Sequence, residues 1–183
     1  MGSSHRGLLG RALWEHSVQT GLAGRRVAEF TSCADPDEAF AAGVLHDIGK
    51  VILLLNKPDE YIQVHQQLEK GATESVSVER KLLGFDHCLV GDRLLENWGM
   101  PSSLRAVARW HHQPEMAGEA APLVQVVACA DVLSQKVCGH SGSGLRMAER
   151  LAKACTALNL EDTSCADLEN LLKNDLEQGD LFG

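Results

Sequence analysis

The stretch Val44-Leu45-His46-Asp47-Ile48-Gly49-Lys50 sets an imidazole and a carboxylate side by side at the end of an apolar run. Neighbours on a helix point about 100° apart, so the two side chains cannot hide in one place, yet both can reach one ion lying over the helix. Nitrogen plus oxygen is a donor combination that divalent transition ions accept readily. Taken alone, the pair reads equally as a helix end in which Asp47 caps and His46 packs. Residues of the same chemical kind recur along the chain, at His16, His87, the adjacent His111-His112, and Asp131. Together these use five of the eight histidines, which is more imidazole than an apolar core takes in. Asp131 follows Val124 and Val127 on an apolar stripe, where a carboxylate is costly unless it is paired or bound to a cation. His65 and His140 have no such company and read as boundary and solvated residues. His5 falls in Met1-Gly2-Ser3-Ser4-His5, which reads as an expression-tag remnant, with the natural protein expected to begin upstream.

Helices must position these groups. A chain of 183 residues reads as one domain. It is 44% hydrophobic but only 4% aromatic, and its apolar content of Leu, Val and Ala suits packed helices better than a sandwich of strands. The fold class expected is all-α, a helical bundle. The periodicity predicts a helix from Leu8 to about Phe30, with Leu9, Leu13, His16, Thr20, Ala23, Val27 and Phe30 on one face. Asp35-Pro36-Asp37-Glu38 starts the next helix. That helix turns Phe40, Ala41, Val44, Leu45 and Ile48 inward, carries His46-Asp47 near its C-terminal end, and ends or bends at Gly49. Val51 to Leu55 reads as a strand or a buried helical turn, and the helical company favours the turn.

Further helices are predicted from Pro58 to about Lys70, with Tyr61, Val64 and Leu68 inward and Gly71 closing, and from Ser75 to Leu83, stopped by Gly84. Asp86 is the expected N-cap of a helix from His87 to about Asn97. Ser102 is expected to cap a helix ending at His111-His112, where two imidazoles equally suit the exposed carbonyls of a helix end. A strongly apolar helix spans Pro122 to Val137. Residues 6–139 form the expected core, 140–144 a flexible connection, and 145–183 two closing helices, the first with Leu145, Ala148, Ala152, Cys155 and Leu158 inward.

A net charge of −8 leaves little counterion release to exploit, which argues against non-specific nucleic-acid binding. No apolar run reaches the ~18–20 residues that cross a bilayer, and no signal peptide is evident, so a cytoplasmic protein without membrane attachment is expected. Cys33, Cys88, Cys129, Cys138, Cys155 and Cys165 are scattered without Cys-x-x-Cys spacing and read as reduced thiols, some of them open to redox chemistry.

The order His16, His46-Asp47, Asp131 closely resembles the HD superfamily of metal-dependent phosphohydrolases. His87 in Asp86-His87-Cys88-Leu89-Val90-Gly91 and the pair His111-His112 resemble the additional ligands of its dinuclear branch, which includes the HD-GYP phosphodiesterases. The segments Leu13-Trp14-Glu15-His16-Ser17, Ala42 to Lys50, Leu83-Gly84-Phe85-Asp86-His87, Trp98-Gly99-Met100-Pro101 and His111-His112-Gln113-Pro114 are closer still to a sister family, the HDOD signalling domains. The similarity runs from about Arg6 to Gln178. Two features depart from the pattern: the helical half that HDOD proteins usually carry before the Leu-Trp segment is not in this sequence, and Glu115-Met116-Ala117-Gly118-Glu119 stands where HD-GYP enzymes carry Asp-Gly-x-Gly-Tyr-Pro.

The resemblance implies a bacterial signal-transduction domain of the HD type holding two divalent metal ions, iron first, with manganese, zinc or nickel as alternatives and magnesium disfavoured by so much imidazole. Asp47 would bridge the ions, with His16, His46 and Asp131 around one and His87, His111 and His112 around the other. Two ions about 3.5–4 Å apart activate a shared water for in-line attack on phosphorus, so no protein nucleophile is required. Asp47 and Lys50 are the candidate catalytic residues. Lys50 would aim its ammonium at a phosphate oxygen, unless it is merely a charge at a helix C-terminus. Arg109 would assist from a neighbouring helix. Glu79 would orient a ligand imidazole, although an exposed helix face explains it as readily. Two functions follow: a signalling module that holds metal and acts on other signalling domains or proteins, with a homodimer among its states, or a phosphohydrolase or phosphodiesterase acting on a nucleotide or cyclic dinucleotide.

Overall fold

The structure is a computed structural model that describes residues 2–70, 74–138 and 144–178. All regular elements among these residues are helical: α1 (Gly2–Thr31), α2 (Pro36–Leu45), α3 (Ile48–Asn56), α4 (Pro58–Glu69), α5 (Ser75–Leu83), α6 (His87–Asn97), α7 (Ser102–Trp110), α8 (Ala121–Val137), α9 (Gly144–Ala157) and α10 (Asp162–Gln178). Two 3-10 turns, Pro114–Met116 and Gly118–Ala120, link α7 to α8. No helix of the described residues is long and apolar enough to cross a membrane. The expected closure by Gly71 and the connection at 140–143, including His140, lie outside the described residues, as does the side chain of His5.

The long α1 packs on α2 and α8 and carries the bundle. Its central stripe is as expected, with Thr20, Ala23 and Val27 buried, but Phe30 in its last turn is 45% exposed. Small residues, not the large ones anticipated, make the inner face of α2. Ala39, Ala42 and Gly43 are buried, while Phe40, Ala41, Val44, Leu45 and Ile48 flank them half-buried. The reason is distance: a Cβ on Gly43 would lie 2.7 Å from the Thr20 carbonyl oxygen and 2.8 Å from the Gly21 Cα. Two helix backbones come that close only where side chains are absent.

Apolar burial falls into two clusters. The larger gathers α1, α2, α7, α8, α9 and α10 around residues such as Val27, Val107, Val124, Leu133 and Leu168. The smaller joins Leu9 of α1 to Leu53 and Leu54 of α3, Tyr61 and Val64 of α4, and Val78 of α5. Along α1, His16 lies between Leu9 of the second cluster and Ala23 of the first. His46-Asp47 likewise falls between Ala42 and Leu53, so the polar residues sit on the seam between two dry regions.

The ends of the bundle are tied by polar links. Arg26 grips the Asp175 carboxylate with two nitrogens at 2.6 and 2.8 Å, joining α1 to α10, and Lys136 pairs with Glu169 across α8 and α10. Cys155 and Cys165 form a disulfide that closes α9 onto α10, with Cα atoms 6.7 Å apart. This corrects the expectation of reduced thiols at those two positions: the turn between the helices brings side chains ten residues apart into contact, which scattered spacing does not announce. On α9 the buried face is Met147, Leu151 and Cys155, continued by Leu158 just past its end, with Ala148 and Ala152 exposed instead of inward; the side chain of Leu145 lies outside the described ones. Burying Met and Leu removes more apolar surface than burying Ala, so the helix turns those residues in.

Candidate metal centre

Five elements deliver the polar residues. His16 comes from the middle of α1 and Asp131 from α8. The register between these two helices is held one turn further on, where Thr20 Oγ1 and Ser134 Oγ meet at 3.0 Å in the buried interface. Since Thr20 is four residues after His16 and Ser134 three after Asp131, that bond places the two ligand candidates opposite each other. His16 Nε2 lies 3.2 Å from Asp131 Oδ1.

His46 and Asp47 occupy a break, not the helix end anticipated. α2 stops at Leu45, Asp47 takes φ −103° and ψ 14°, and α3 starts at Ile48. Gly49 therefore does not end a helix but stands in the first turn of α3, and Val51 to Leu55 continue that helix. Its role is contact, because a Cβ on Gly49 would lie 2.0 Å from the His87 carbonyl oxygen and 2.9 Å from the Gly91 nitrogen. Bare backbone at this point lets α6 pass against α3 and sets His87 over Asp47. Asp86 caps α6 as expected, accepting from the Leu89 N–H at 2.8 Å and from Arg80 Nε at 2.6 Å. α7 begins at Ser102 with Pro101 in the cap position, so Ser102 is its first residue and not its cap. Its far end presents His111 and His112.

All seven predicted residues converge. His87 Nε2 is 3.2 Å and His111 Nε2 3.5 Å from Asp47 Oδ1, while His46 Nε2 is 3.3 Å and His16 Nε2 3.7 Å from Asp47 Oδ2. His112 Nε2 is 3.2 Å from His87 Nε2. Three overlapping groups have their donor atoms within 4.8 Å of one another and could hold a metal ion: His16, His46 and Asp131; His46, Asp47 and His111; and His87, Cys88, His111 and His112. His46, Asp47, His87, His111 and Asp131 are buried, whereas His112 lies at the exposed edge of the cluster.

The outward nitrogens decide what faces inward. His87 Nδ1 meets Glu79 Oε2 at 2.7 Å, His46 Nδ1 meets the Gly43 carbonyl at 2.6 Å, and His111 Nδ1 meets the Val107 carbonyl at 3.0 Å. Each partner is an acceptor, so each Nδ1 carries a proton and donates, and in the neutral ring each Nε2 turns a lone pair toward the centre. Lone pairs of three imidazoles then confront two carboxylates. His46 Nε2 and Asp47 Oδ1 are buried there without a hydrogen-bond partner. Electron-rich atoms packed this closely repel unless positive charge stands among them, and the donor set fits a divalent transition ion.

The electrostatics agree. Burial works against charge on Asp47, but His46, Lys50 and His111 outweigh it and hold the carboxyl well below the usual carboxylate range. Asp131 is likewise held well down, burial being overcome by His16 and His46. Burial also opposes a proton on His46, yet Asp47 raises it; on His87, burial and Lys50 are outweighed by Asp47, Cys88 and Glu79, and the pKa stands well above its ordinary value. Burial lowers His111, and burial with His111, His87 and Lys50 holds His112 well below its ordinary value, so these two rings stay neutral. The cluster thus draws positive charge inward, whether as protons on imidazole or as a metal.

Around the seven, Lys50 in the first turn of α3 sets its ammonium 2.5 Å from Asp47 Oδ2, so it is not a helix C-terminal charge. Glu79 is fully buried and accepts from the His87 backbone N–H at 2.8 Å as well as from its ring, so the exposed-face reading falls. Arg109 lies 3.9 Å from Asp86 Oδ1, with its guanidinium 4.9 Å from the Trp110 ring centroid. It lines a cleft of about 330 Å³ on α6 and α7 with Asp92, Ser102 and Arg105, away from the imidazoles. Sequence reasoning missed Gln135, whose Nε2 is 2.5 Å from Asp131 Oδ1, and Arg150 of α9, whose Nη2 is 3.4 Å from Asp131 Oδ2. Gln135 had a signal, four residues after Asp131 on one helix; Arg150, brought in by tertiary packing, had none.

An all-helical bundle with an inward set of five histidines and two aspartates defines a class of protein built around a polar, cation-seeking centre. The chain belongs to the HDOD domain family, whose pattern matches residues 2–114. Curated proteins give no match. Several solved structures share the fold. One, described as a "putative phosphohydrolase" from Shewanella amazonensis SB2B, is 21% identical with a TM-score of 0.71, the match covering 90% of this chain and 60% of that one. An HDOD domain protein of unknown function from Geobacter sulfurreducens is 23% identical with a TM-score of 0.67, covering 87% and 61%. The MmoQ response regulator from Methylococcus capsulatus str. Bath is 24% identical with a TM-score of 0.63, covering 87% and 60%. This chain therefore spans about three fifths of the length of these relatives.

Proposed function

We propose that this chain is a signal-transduction domain of the HDOD type that holds two divalent ions at the seam of its two cores and passes the state of that centre to other signalling domains. The observation that carries the reading is the convergence of three Nε2 lone pairs on two buried carboxylates, with His46 Nε2 and Asp47 Oδ1 left without hydrogen-bond partners. His16, His46 and Asp131 would hold one ion, His87, His111 and His112 the other, with Asp47 between. Iron ranks first by family likeness, followed by manganese, zinc and nickel. A centre of this kind ties α1, the α2–α3 break, α6, α7 and α8 together, so gain or loss of an ion shifts five elements at once.

A second reading, a metal-dependent phosphohydrolase or phosphodiesterase on a nucleotide or cyclic dinucleotide, is favoured by the exposure of His112 and by an ammonium beside Asp47. When bound, divalent ions supply Lewis-acid stabilisation and make water a nucleophile near neutral pH. The chain's own residues would then divide the work: Lys50 holds a phosphate oxygen, Glu79 keeps His87 in its tautomer, and His112 borders the entry.

Elemental analysis of the purified protein tests the common premise. Asp47→Ala is expected to lose bound metal while circular dichroism shows helix content largely intact; unchanged metal content counts against the centre. Screening phosphoesters and cyclic dinucleotides with each metal restored then separates the two readings. Turnover that Asp47→Ala abolishes makes the chain an enzyme, and metal binding without turnover makes it a module.

A further inference from the structure

We propose that Cys88 is a metal ligand, its thiolate joining His87, His111 and His112 to form a nitrogen-sulfur donor set that takes a zinc-class ion; this deepens the metal-centre reading above and rests on it. Cys88 is the second residue of α6 and 4% exposed, and its Sγ lies 3.4 Å from His87 Nε2. Its donor atom falls within 4.8 Å of those of His87, His111 and His112. An independent feature points into the same space: Asp47 Oδ1, buried and without a hydrogen-bond partner, lies 3.2 Å from His87 Nε2 and 3.5 Å from His111 Nε2.

A plain hydrogen bond from the thiol to His87 does not account for the arrangement. Glu79 holds a proton on His87 Nδ1, so in the neutral ring Nε2 presents a lone pair. Cys88 Sγ, Asp47 Oδ1, His111 Nε2 and His112 Nε2 all surround that one nitrogen, the last at 3.2 Å. That lone pair accepts one hydrogen bond, from the thiol or from His112 Nε2–H, and either one leaves Asp47 Oδ1 without a donor. A cation satisfies all of them together, with the thiol proton released to solvent as the sulfur coordinates.

The remaining cysteines are placed differently. Cys33 is exposed, Cys155 and Cys165 are bonded to each other, and burial pushes the Cys129 thiol up to about 12 and raises that of the half-buried Cys138, which keeps both neutral. Among the described residues, the metal-capable group that includes a cysteine is the one at Cys88. A thiolate beside imidazoles softens this half of the centre and favours zinc over manganese or magnesium. The half built from His16, His46 and Asp131 offers only nitrogen and oxygen, so the two positions differ in the ion they prefer.

Cobalt(II) reports on sulfur coordination directly. The full chain, stripped with a chelator and titrated with cobalt(II), is expected to develop a sulfur-to-cobalt charge-transfer band in the near ultraviolet. Cys88→Ala and Cys88→Ser should lose that band, with affinity for one of the bound ions lowered about tenfold or more, while Cys33→Ala keeps it. Far-ultraviolet circular dichroism checks that the variants are folded, and the wild-type spectrum is decisive even where a variant is not. Cobalt bound with visible bands alone, or a near-ultraviolet band that survives Cys88→Ser, overturns the role of Cys88 and leaves the metal centre standing. Failure of the wild-type chain to bind cobalt or zinc overturns both.

Discussion

Glu79 offers the sharpest test of how the centre is held. Its side chain is fully buried and one oxygen accepts two hydrogen bonds from a single residue, the His87 ring at 2.7 Å and the His87 backbone at 2.8 Å. Glu79→Ala deprives both donors of an acceptor where His87 is itself fully buried, so solvent does not replace it. Each abandoned donor costs roughly 1–3 kcal/mol, and the two together about 2–6 kcal/mol, a large share of a typical stability of about 5–15 kcal/mol. Glu79→Gln keeps a carbonyl oxygen for one donor and should recover about half of that loss, since neutral hydrogen bonds are roughly half as strong as charge-assisted ones. Urea unfolding followed by circular dichroism in the presence of chelator measures this term without metal. A competition titration against a chromogenic chelator measures the other consequence, a fall in metal affinity of about 10- to 100-fold as His87 loses its fixed tautomer. If Glu79→Ala unfolds within about 0.5 kcal/mol of the parent and binds metal equally well, Glu79 does not set the His87 proton, and the argument from inward lone pairs fails with it.

Gly49→Ala places a methyl group 2.0 Å from the His87 carbonyl oxygen, so α3 and α6 must separate. Thermal and urea unfolding should show a loss of about 3 kcal/mol, the upper end for overpacking, together with reduced metal content; parental stability would refute the close crossing. Reduction of the Cys155–Cys165 bond, which spans ten residues, is expected to cost about 2.5–3 kcal/mol by freeing the unfolded chain, read as a lower urea midpoint in the presence of a dithiol. Thiol counting on the denatured protein without reductant should find the four free cysteines, and a count of six would contradict the bond.

The parts of the centre that were legible share one property: their signals are local. Asp86 three residues before Leu89, with a glycine-marked stop just ahead of it, announces a helix start that carries His87, and the structure has that cap. Asp131 on an apolar stripe and His16 within a helical face are visible as polar residues out of place. The identity of α2's inner face was not visible, because hydrophobicity ranks Phe40 and Val44 above Ala39 and Gly43, whereas the approach of α1 admits only the small side chains. The break after Leu45 escaped for a similar reason. Gly49 resembles a helix stop along the chain, and its actual task, to admit the His87 backbone, belongs to a residue far away in sequence.

By itself the sequence determined that the chain is helical, where most of its helices begin and end, and which seven residues are chemically suited to a metal. Those properties follow from the 3.6-residue period, from caps a few residues apart, and from the cost of burying charge, none of which needs a distant partner. Tertiary structure alone decided that His87, Cys88 and His112 crowd one another, that Glu79 and not solvent accepts the His87 Nδ1–H, that Arg109 turns to Asp86 and Trp110, and that Cys155 meets Cys165. Each of these depends on the distance and angle at which two separately stable helices cross, and that geometry is set by the packing of every side chain between them, not by the residues at the point of contact.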